Sequence, residues 1–109
     1  MPRSAGLILG GIFFIMAVAF TAAFVEELFW RGYALAVLPT RLGMLGAVTF
    51  ASALFGLTHT YLGLSAAVLT FGGGIALSLV YWWRRSLLLN IAIHFLFDVA
   101  GPLYVLGKL

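Results

Sequence analysis

The sequence predicts an all-α, polytopic transmembrane bundle of about four helices. Of its 109 residues, 64% are hydrophobic and 8% are charged, whereas soluble domains carry about 25% charged residues. Its apolar runs are long enough to cross a membrane, and short breaks that contain proline, glycine or polar residues separate four of them. We therefore expect a single transmembrane domain over residues 1–109, in contact with the lipid bilayer.

The first span is predicted from Ala5 to about Leu38. Its apolar part is longer than the ~7–15 residues of a signal-peptide core, so we interpret it as a retained helix. At ~1.5 Å per residue it exceeds a hydrocarbon core of ~30 Å. The helix is therefore expected to be tilted, kinked near Gly10-Gly11 or extended into the headgroups. A turn at residues 39–43 follows, because its proline ends the helix.

Three shorter spans are predicted after this turn. They run from about Met44 to His59, from Ala66 to Trp83 and from about Ser86 to Leu106. Residues 60–65 form a short connection between the second and third spans. The third span contains Gly72-Gly73-Gly74, which predicts close helix packing or a bend. It ends in the aromatic and basic segment 81–85, a pattern typical of a cytoplasmic helix end.

The basic residues indicate orientation in the membrane. Arg41 and Arg84-Arg85 lie on one side, and Arg3 and Lys108 lie on the other. The positive-inside rule therefore predicts that the loops near Arg41 and Arg84 lie in the cytoplasm. We expect the membrane to be a prokaryotic cell membrane. These residues form no basic stripe, so nucleic-acid binding is not expected. The chain has no cysteine, which excludes disulfides, thiolate metal sites and cysteine nucleophiles.

All three acidic residues and both histidines lie inside the apolar spans: Glu26, Glu27, Asp98, His59 and His94. A charged side chain at the centre of a spanning helix costs ~2.5–3.5 kcal/mol on insertion scales, so function is the default interpretation. Glu26 and Asp98 each lie roughly 20 Å along their helices from the predicted cytoplasmic turns, and the histidines lie at comparable depth. A shared polar site inside the bundle is therefore expected.

Helical spacing separates the two glutamates. Glu27 and Arg31 are four residues apart, so they share a helix face and are expected to pair. Glu26 is rotated ~100° from Glu27 and lacks that partner, which favours Glu26 as a general base.

Two further pairs show the same spacing. Phe55 and His59 are four residues apart, as are His94 and Asp98, so each pair is expected to project from one side of its helix. An aspartate one turn from a histidine can fix the histidine tautomer or itself face the reaction centre.

Three segments together resemble the signatures of the CPBP family of intramembrane proteases, which includes the type II CAAX prenyl endopeptidases and the bacterial Abi proteins. They are EELFWR at residues 26–31, FGLTH at 55–59 and HFLFD at 94–98, which are similar to EExxxR, FxxxH and HxxxN or HxxxD. The resemblance spans about residues 18–102. It implies a glutamate-dependent intramembrane endopeptidase, a hydrolase that cleaves a peptide bond of a membrane-associated, prenylated or other peptide substrate.

The resemblance also implies residue roles. Glu26 and His59 would activate a water for attack on a peptide carbonyl, and the histidine and aspartate of the third signature would face the oxyanion or orient the water. The implied catalytic residues are Glu26, His59, His94 and Asp98, and the implied supporting residues are Glu27, Arg31 and Phe55.

Two departures from the family qualify this expectation. Asp98 stands where many members carry an amide, and a charged carboxylate cannot donate a hydrogen bond to an oxyanion. Asp98 is therefore expected to be protonated, to act through His94 or to bind something else. Well-studied members have about twice as many helices, so we expect this chain to cover only the core. It is then a minimal protein, a fragment, or a protein that uses a homo-oligomer or an additional helical partner to enclose the site.

Two alternatives are left open by the residues. No cofactor is firmly expected, but Glu26, His59 and His94 would be the ligands if zinc were bound, although no HExxH is present. The competing function is a non-catalytic membrane module, either an immunity or scaffold protein or an ion or proton pathway, that uses the same buried polar residues.

Overall fold

The computed structural model describes residues 2–108, except for the side chains of residues 105 and 106. This part of the chain is entirely helical apart from its turns, which confirms the predicted fold class. Four helical stretches are long and apolar enough to cross a membrane: Arg3–Val37, Pro39–Leu57, Leu64–Arg84 and Leu87–Tyr104. Their apolar outer surfaces lie in contact with the lipid bilayer.

The first span is continuous but changes its helical period beside the acidic pair. It consists of α1 (Arg3–Glu27), a π-helical segment (Leu28–Ala34) and α2 (Leu35–Val37). The expected kink near Gly10-Gly11 is absent, since α1 continues through both glycines and no neighbouring atom lies within 4 Å of either Cβ position. The irregularity instead follows Glu27, and π-helical turns often occur at functional sites.

The second span, α3 (Pro39–Leu57), begins earlier than the sequence predicted. Pro39 occupies the first turn of the helix, where its missing N–H removes no intrahelical hydrogen bond. The break comes at Gly43, whose φ of 70° and ψ of 171° suit glycine. The predicted turn at 39–43 is therefore a helical turn that ends at Gly43, and the long part of the span begins at Met44, as expected.

His59 lies beyond the end of α3, so the prediction that the second span reaches His59 is wrong. The hydroxyl of Thr58 donates to the Phe55 carbonyl over 2.7 Å, and that of Thr60 donates to the Leu57 carbonyl over 2.9 Å. These bonds satisfy carbonyls that the last helical turn leaves without an intrahelical partner, and they stabilise a helix end there. His59 consequently lies in the connection to the next helix.

The last two spans are α4 (Leu64–Arg84) and α5 (Leu87–Leu106), with ends within two residues of those predicted. A short 3-10 turn (Thr60–Leu62) precedes α4. In the packing, α3 lies mainly against α4 and α1 lies mainly against α5, whereas α4 and α5 contact each other over a much shorter stretch. Polar residues of α1 are thus brought to α5, and a space is left between α4 and α5.

Two glycines allow α3 and α4 to approach closely. A Cβ atom on Gly56 would lie 2.8 Å from the Ala67 carbonyl oxygen, and one on Gly74 would lie 3.1 Å from a ring carbon of Phe55. Close packing, one of the two roles predicted for the triple-glycine segment, is therefore confirmed at Gly74. The bend is absent, because α4 is continuous through the segment.

Candidate active site

His94 of α5 lies between the two adjacent glutamates of α1. Its Nδ1 is 2.9 Å from Oε1 of Glu27, and its Nε2 is 3.2 Å from Oε2 of Glu26. Glu27 is completely buried, whereas 31% of the Glu26 side chain is exposed. Because successive helical residues differ by ~100° in direction, the two carboxylates can meet opposite edges of one imidazole ring.

The buried side of the site contains the pair predicted from the sequence. Nη1 of Arg31 lies 3.3 Å from Oε1 of Glu27, as an ion pair without the alignment of a hydrogen bond. Nη2 of Arg31 donates to the Gly74 carbonyl over 3.1 Å, and its guanidinium carbon lies 5.0 Å from the centre of the Phe55 ring. A carboxylate, a carbonyl and an aromatic face thus compensate a fully buried cation.

Asn90 also belongs to the buried side, and the sequence analysis missed it. Its side chain is completely buried, and Nδ2 donates to Oε2 of Glu27 over 3.3 Å and to the Leu77 carbonyl over 2.8 Å. The available signal was its spacing, since Asn90, His94 and Asp98 recur every four residues along one face of an apolar helix.

The exposed side of the site holds a second carboxylate. Oδ2 of Asp98 lies 3.3 Å from Nε2 of His94, and 33% of the Asp98 side chain is exposed. Glu26 and Asp98 therefore converge on the same ring nitrogen. Because Nδ1 faces the carboxylate of Glu27 and Nε2 faces two more, hydrogen bonding requires a hydrogen at each position, on the ring or on a carboxyl group. Of the three roles considered for Asp98, this contact favours action through His94.

In the described part of the chain, His59 makes no hydrogen bond or ion pair with the acidic cluster. Its Nδ1 lies 2.9 Å from the Phe55 carbonyl oxygen and 3.1 Å from the hydroxyl of Thr58. A carbonyl oxygen only accepts, so Nδ1 carries the hydrogen and Nε2 is the acceptor of the neutral ring. Within residues 2–108, no hydrogen bond or ion pair joins His59 to Glu26.

The ring of Phe55 packs against both histidines. Its centre lies 5.0 Å from that of His59 and 6.0 Å from that of His94, both in edge-to-face geometry. The same ring packs against the guanidinium of Arg31. Phe55 therefore contacts both histidines and Arg31, and its supporting role stays a prediction.

A cavity of about 540 Å³ adjoins the site between α4 and α5. His59, His94 and Asp98 face it together. Its other walls are mostly apolar and include Leu69, Ala76, Val80, Ile93 and Phe97. Glu26 instead borders a groove along the outer face of α1, next to Thr21 and Val25. The Glu26–His94–Asp98 contacts thus lie between the groove on α1 and the cavity.

The arrangement of the site bears on the predicted zinc ligands, Glu26, His59 and His94. In the described part of the chain, no three histidine, aspartate or glutamate side chains form a group that could hold a metal ion. Both ring nitrogens of His94 face carboxylate oxygens at 3.3 Å or less, whereas a nitrogen that binds zinc must offer its lone pair. The residues as arranged do not fit zinc, and zinc binding by Glu26, His59 and His94 stays a prediction.

A family model described as type II CAAX prenyl endopeptidase Rce1-like matches residues 8–100 of the chain. The matched region contains all three signature segments and every residue of the site, and it confirms the family resemblance. No curated protein and no solved structure is significantly similar to the chain.

Proposed function

This chain belongs to the Rce1-like family of type II CAAX prenyl endopeptidases, and on that premise we propose that it is an intramembrane endopeptidase whose Glu26 deprotonates the attacking water. The convergence of Glu26 and Asp98 on Nε2 of His94 carries the proposal. Each carboxylate is about a third exposed while it lies within a membrane span. An ionisable side chain that stays accessible within a membrane span supports a catalytic role rather than a role in helix packing.

In the proposed reaction, Glu26 holds the water. Nε2 of His59 is proposed as the second acceptor for this water, which requires His59 to move toward Glu26 from its position on the cavity. Glu26 takes one proton, the water oxygen bonds to the peptide carbonyl carbon, and the carbonyl electron pair moves onto its oxygen. When the C–N bond breaks, the proton passes from Glu26 to the leaving nitrogen, so the carboxylate returns to its starting state. A positioned general base contributes typically ~10²–10⁴-fold to the rate.

His94 has a different part in this mechanism. A hydrogen at Nε2 faces Glu26 and Asp98, and the oxyanion of the tetrahedral intermediate replaces one of these acceptors. Glu27 fixes the opposite edge of the ring through its 2.9 Å contact with Nδ1. Donors that are oriented before the reaction stabilise developing negative charge at little reorganisation cost. Asp98 then acts by keeping the hydrogen directed along this edge of the ring.

The substrate is proposed to be a membrane-associated peptide, with a prenylated peptide as the first class to examine. The cavity between α4 and α5 supports this proposal, because its walls are mostly apolar and it meets the reacting groups at His59, His94 and Asp98. An apolar segment of substrate can therefore lie in the cavity while its peptide bond meets the polar site.

The decisive experiment compares Glu26→Gln with Thr21→Val. Thr21 borders the same groove and bonds only to its own helix, at the Ala17 carbonyl, so its variant is a matched control. Newly formed peptide ends are compared by quantitative proteomics in membranes that contain each chain, and rates are measured with a fluorogenic farnesylated peptide. We expect Glu26→Gln to lower kcat by ~10²–10⁴-fold without loss of thermal stability. Thr21→Val should retain both the wild-type kcat and the wild-type thermal stability.

His59→Ala is expected to lower kcat in the same way if, as proposed, Nε2 of His59 moves to the water that Glu26 holds. Full cleavage by Glu26→Gln would rule out this site as the catalytic centre. The non-catalytic membrane module predicted from the same residues would then be the better interpretation.

The proposed orientation places the loops near Arg41 and Arg84 in the cytoplasm of a prokaryotic cell membrane. The side chains at the helix ends support an interfacial position for both ends of the bundle. The guanidinium of Arg84 lies 5.1 Å from the centre of the Trp83 ring, and the ammonium of Lys108 lies 4.5 Å from that of Tyr104. Such aromatic and basic pairs are typical of the membrane–water interface.

A further inference from the structure

Asn90 is the most deeply buried polar residue that the proposed mechanism does not use. Its side chain has no exposed surface, and it lies on α5 one turn before His94. In an apolar helix, leucine could fill a similar volume without the cost of burying a carboxamide. A polar side chain that is retained there needs partners, and its partners indicate its role.

The contacts of Asn90 determine which way its amide points. Nδ2 lies 2.8 Å from the Leu77 carbonyl oxygen and 3.3 Å from Oε2 of Glu27. Both partners are acceptors, so a flipped amide would direct its oxygen at two other oxygens. Asn90 is therefore a double donor, and it joins the backbone of α4 to the buried carboxylate of α1. Aspartate has the same shape but cannot donate both hydrogen bonds.

The two oxygens of the Glu27 carboxylate therefore contact different partners. Asn90 binds Oε2, while Oε1 faces Nη1 of Arg31 at 3.3 Å and Nδ1 of His94 at 2.9 Å. Without the Asn90 donor, the carboxylate could rotate about its terminal bond, and His94 would lose an acceptor fixed in place. A metal-free imidazole is oriented by the hydrogen bonds at its two nitrogens.

We propose that Asn90 is a positioning residue that sets the orientation of His94 through Glu27, and thereby holds Nε2 toward Glu26 and Asp98. This inference rests on the proposed function, since it assigns Asn90 to the same reaction centre. It adds to the site a residue outside the three family signatures. In metal sites, partners one contact removed from the ligands typically change activity by ~10–100-fold when they are substituted, and we expect a loss of similar size here.

The test uses ¹⁵N-histidine labelling of the full chain in lipid nanodiscs. The chain has two histidines, so each ring can be assigned by substituting the other. In the wild type we expect a hydrogen-bonded N–H at Nδ1 of His94. In Asn90→Leu we expect this signal to shift or to split between two ring orientations, while the signals of His59 stay unchanged. Ser78→Ala removes a different buried polar group, on α4, and should leave both rings unchanged.

Kinetics with the farnesylated peptide give a second readout. Asn90→Leu is expected to lower kcat by ~10–100-fold with little change in KM, because a completely buried side chain does not contact the substrate. Asn90→Asp should lose at least as much, since it sets a further acceptor against Glu27. Asn90→Ser retains one donor and adds no bulk, so it replaces Asn90→Leu in the test if that variant does not fold. We expect its His94 signals to lie between those of the wild type and of Asn90→Leu.

Unchanged His94 signals in a folded Asn90 variant would overturn the proposal. The ring signals do not depend on cleavage, so the two proposals can fail separately. If Glu26→Gln keeps full activity while Asn90→Leu moves the His94 signals, then the catalytic assignment fails and the positioning role is supported. If Glu26→Gln abolishes cleavage and Asn90→Leu leaves His94 unchanged, then the positioning role fails alone.

Discussion

Glu26 and Glu27 are adjacent in the chain but lie in opposite environments. Glu27 is completely buried, and Arg31, Asn90 and His94 all contact its carboxylate. Glu26 keeps 31% of its side chain exposed and meets His94 at a nitrogen that a second carboxylate shares. Burial of an unpaired carboxylate costs several kcal/mol, so the partners of Glu27 reduce the free-energy cost of burying it in the membrane. Glu26 is less enclosed, which leaves a carboxylate oxygen available for a proton.

This contrast separates an inner network, defined as Glu27, Arg31 and Asn90, from an outer set, defined as Glu26, Asp98 and His59. His94 belongs to both, because its Nδ1 faces the inner network and its Nε2 faces the outer set. Substitutions in the inner network should therefore reduce stability first, whereas substitutions in the outer set should reduce activity with the fold retained.

The largest effect on stability is expected for Arg31→Ala. This change leaves Glu27 in a fully buried position without its cation, and breaking a buried pair from one side costs ~3–5 kcal/mol. Glu26→Gln, one position from Glu27, should change the free energy of unfolding by less than ~1 kcal/mol, because its side chain is partly exposed. Unfolding by SDS in mixed micelles measures both.

A double variant tests whether the cost arises from the unpaired charge. Arg31→Leu combined with Glu27→Gln removes both charges, so it should be more stable than Arg31→Ala alone. The contrast between the inner network and the outer set would be lost if Arg31→Ala and Glu26→Gln were equally stable.

A second pair of neighbours, Gly73 and Gly74, repeats the contrast in α4. A Cβ on Gly74 would lie 3.1 Å from a ring carbon of Phe55 and 3.3 Å from Ser52, whereas no neighbouring atom lies within 4 Å of the Cβ position of Gly73. Gly74→Ala should therefore destabilise by ~1–3 kcal/mol through overpacking. Gly73→Ala should stabilise the helix by up to ~1 kcal/mol, because alanine loses less backbone entropy.

The same unfolding measurement distinguishes the two glycine variants. A similar change in the free energy of unfolding for both would mean that α3 and α4 do not approach closely at Gly74. The position of α4 that places the Gly74 carbonyl 3.1 Å from Nη2 of Arg31 would then also be wrong.

The sequence predicted most of the fold because apolar length alone identifies membrane helices, and all four spans ended within two residues of their predicted ends. Its errors were local. Residues 39–43 were predicted to form a turn because proline ends a helix; the first span does end just before Pro39, but Pro39 also begins α3. His59 was placed on a helix because it continues the spacing from Phe55, but threonine hydroxyls bond to the carbonyls of the last turn and the helix ends before it.

The site was partly predictable for a different reason. The pairing of Glu27 with Arg31 and the contact of His94 with Asp98 are short-range, so the spacing along one helix was sufficient. The meeting of Glu27 with Asn90 depends on how α1 packs against α5, and no pattern within either helix specifies that register. The contact of His59 with Phe55 is short-range, but whether His59 reaches Glu26 likewise depends on packing between helices.

A smaller effect is expected for Asp98→Asn, which sharpens the role of the outer carboxylate. The amide oxygen can still accept a hydrogen bond from Nε2 of His94, but the bond loses its charge assistance. We expect kcat to fall about tenfold, equivalent to ~1.4 kcal/mol, with the unfolding transition unchanged. Asp98→Ala, which removes the acceptor, should lose more. A loss as large as that of Glu26→Gln would instead identify Asp98 as the group that takes the proton from water.

Metal removal is expected to have the smallest effect on the outer set. To bind zinc, His94 would have to break the contacts of Nε2 with Glu26 and Asp98, or the contact of Nδ1 with Glu27. In addition, His59 contacts Phe55 rather than Glu26. Protein that has been stripped with a chelator, and whose metal content has been measured, should therefore keep its full rate on the farnesylated peptide. Loss of the rate on chelation, with recovery on stoichiometric zinc, would make the outer set a metal centre, and the water would then be activated by the metal rather than by Glu26 alone.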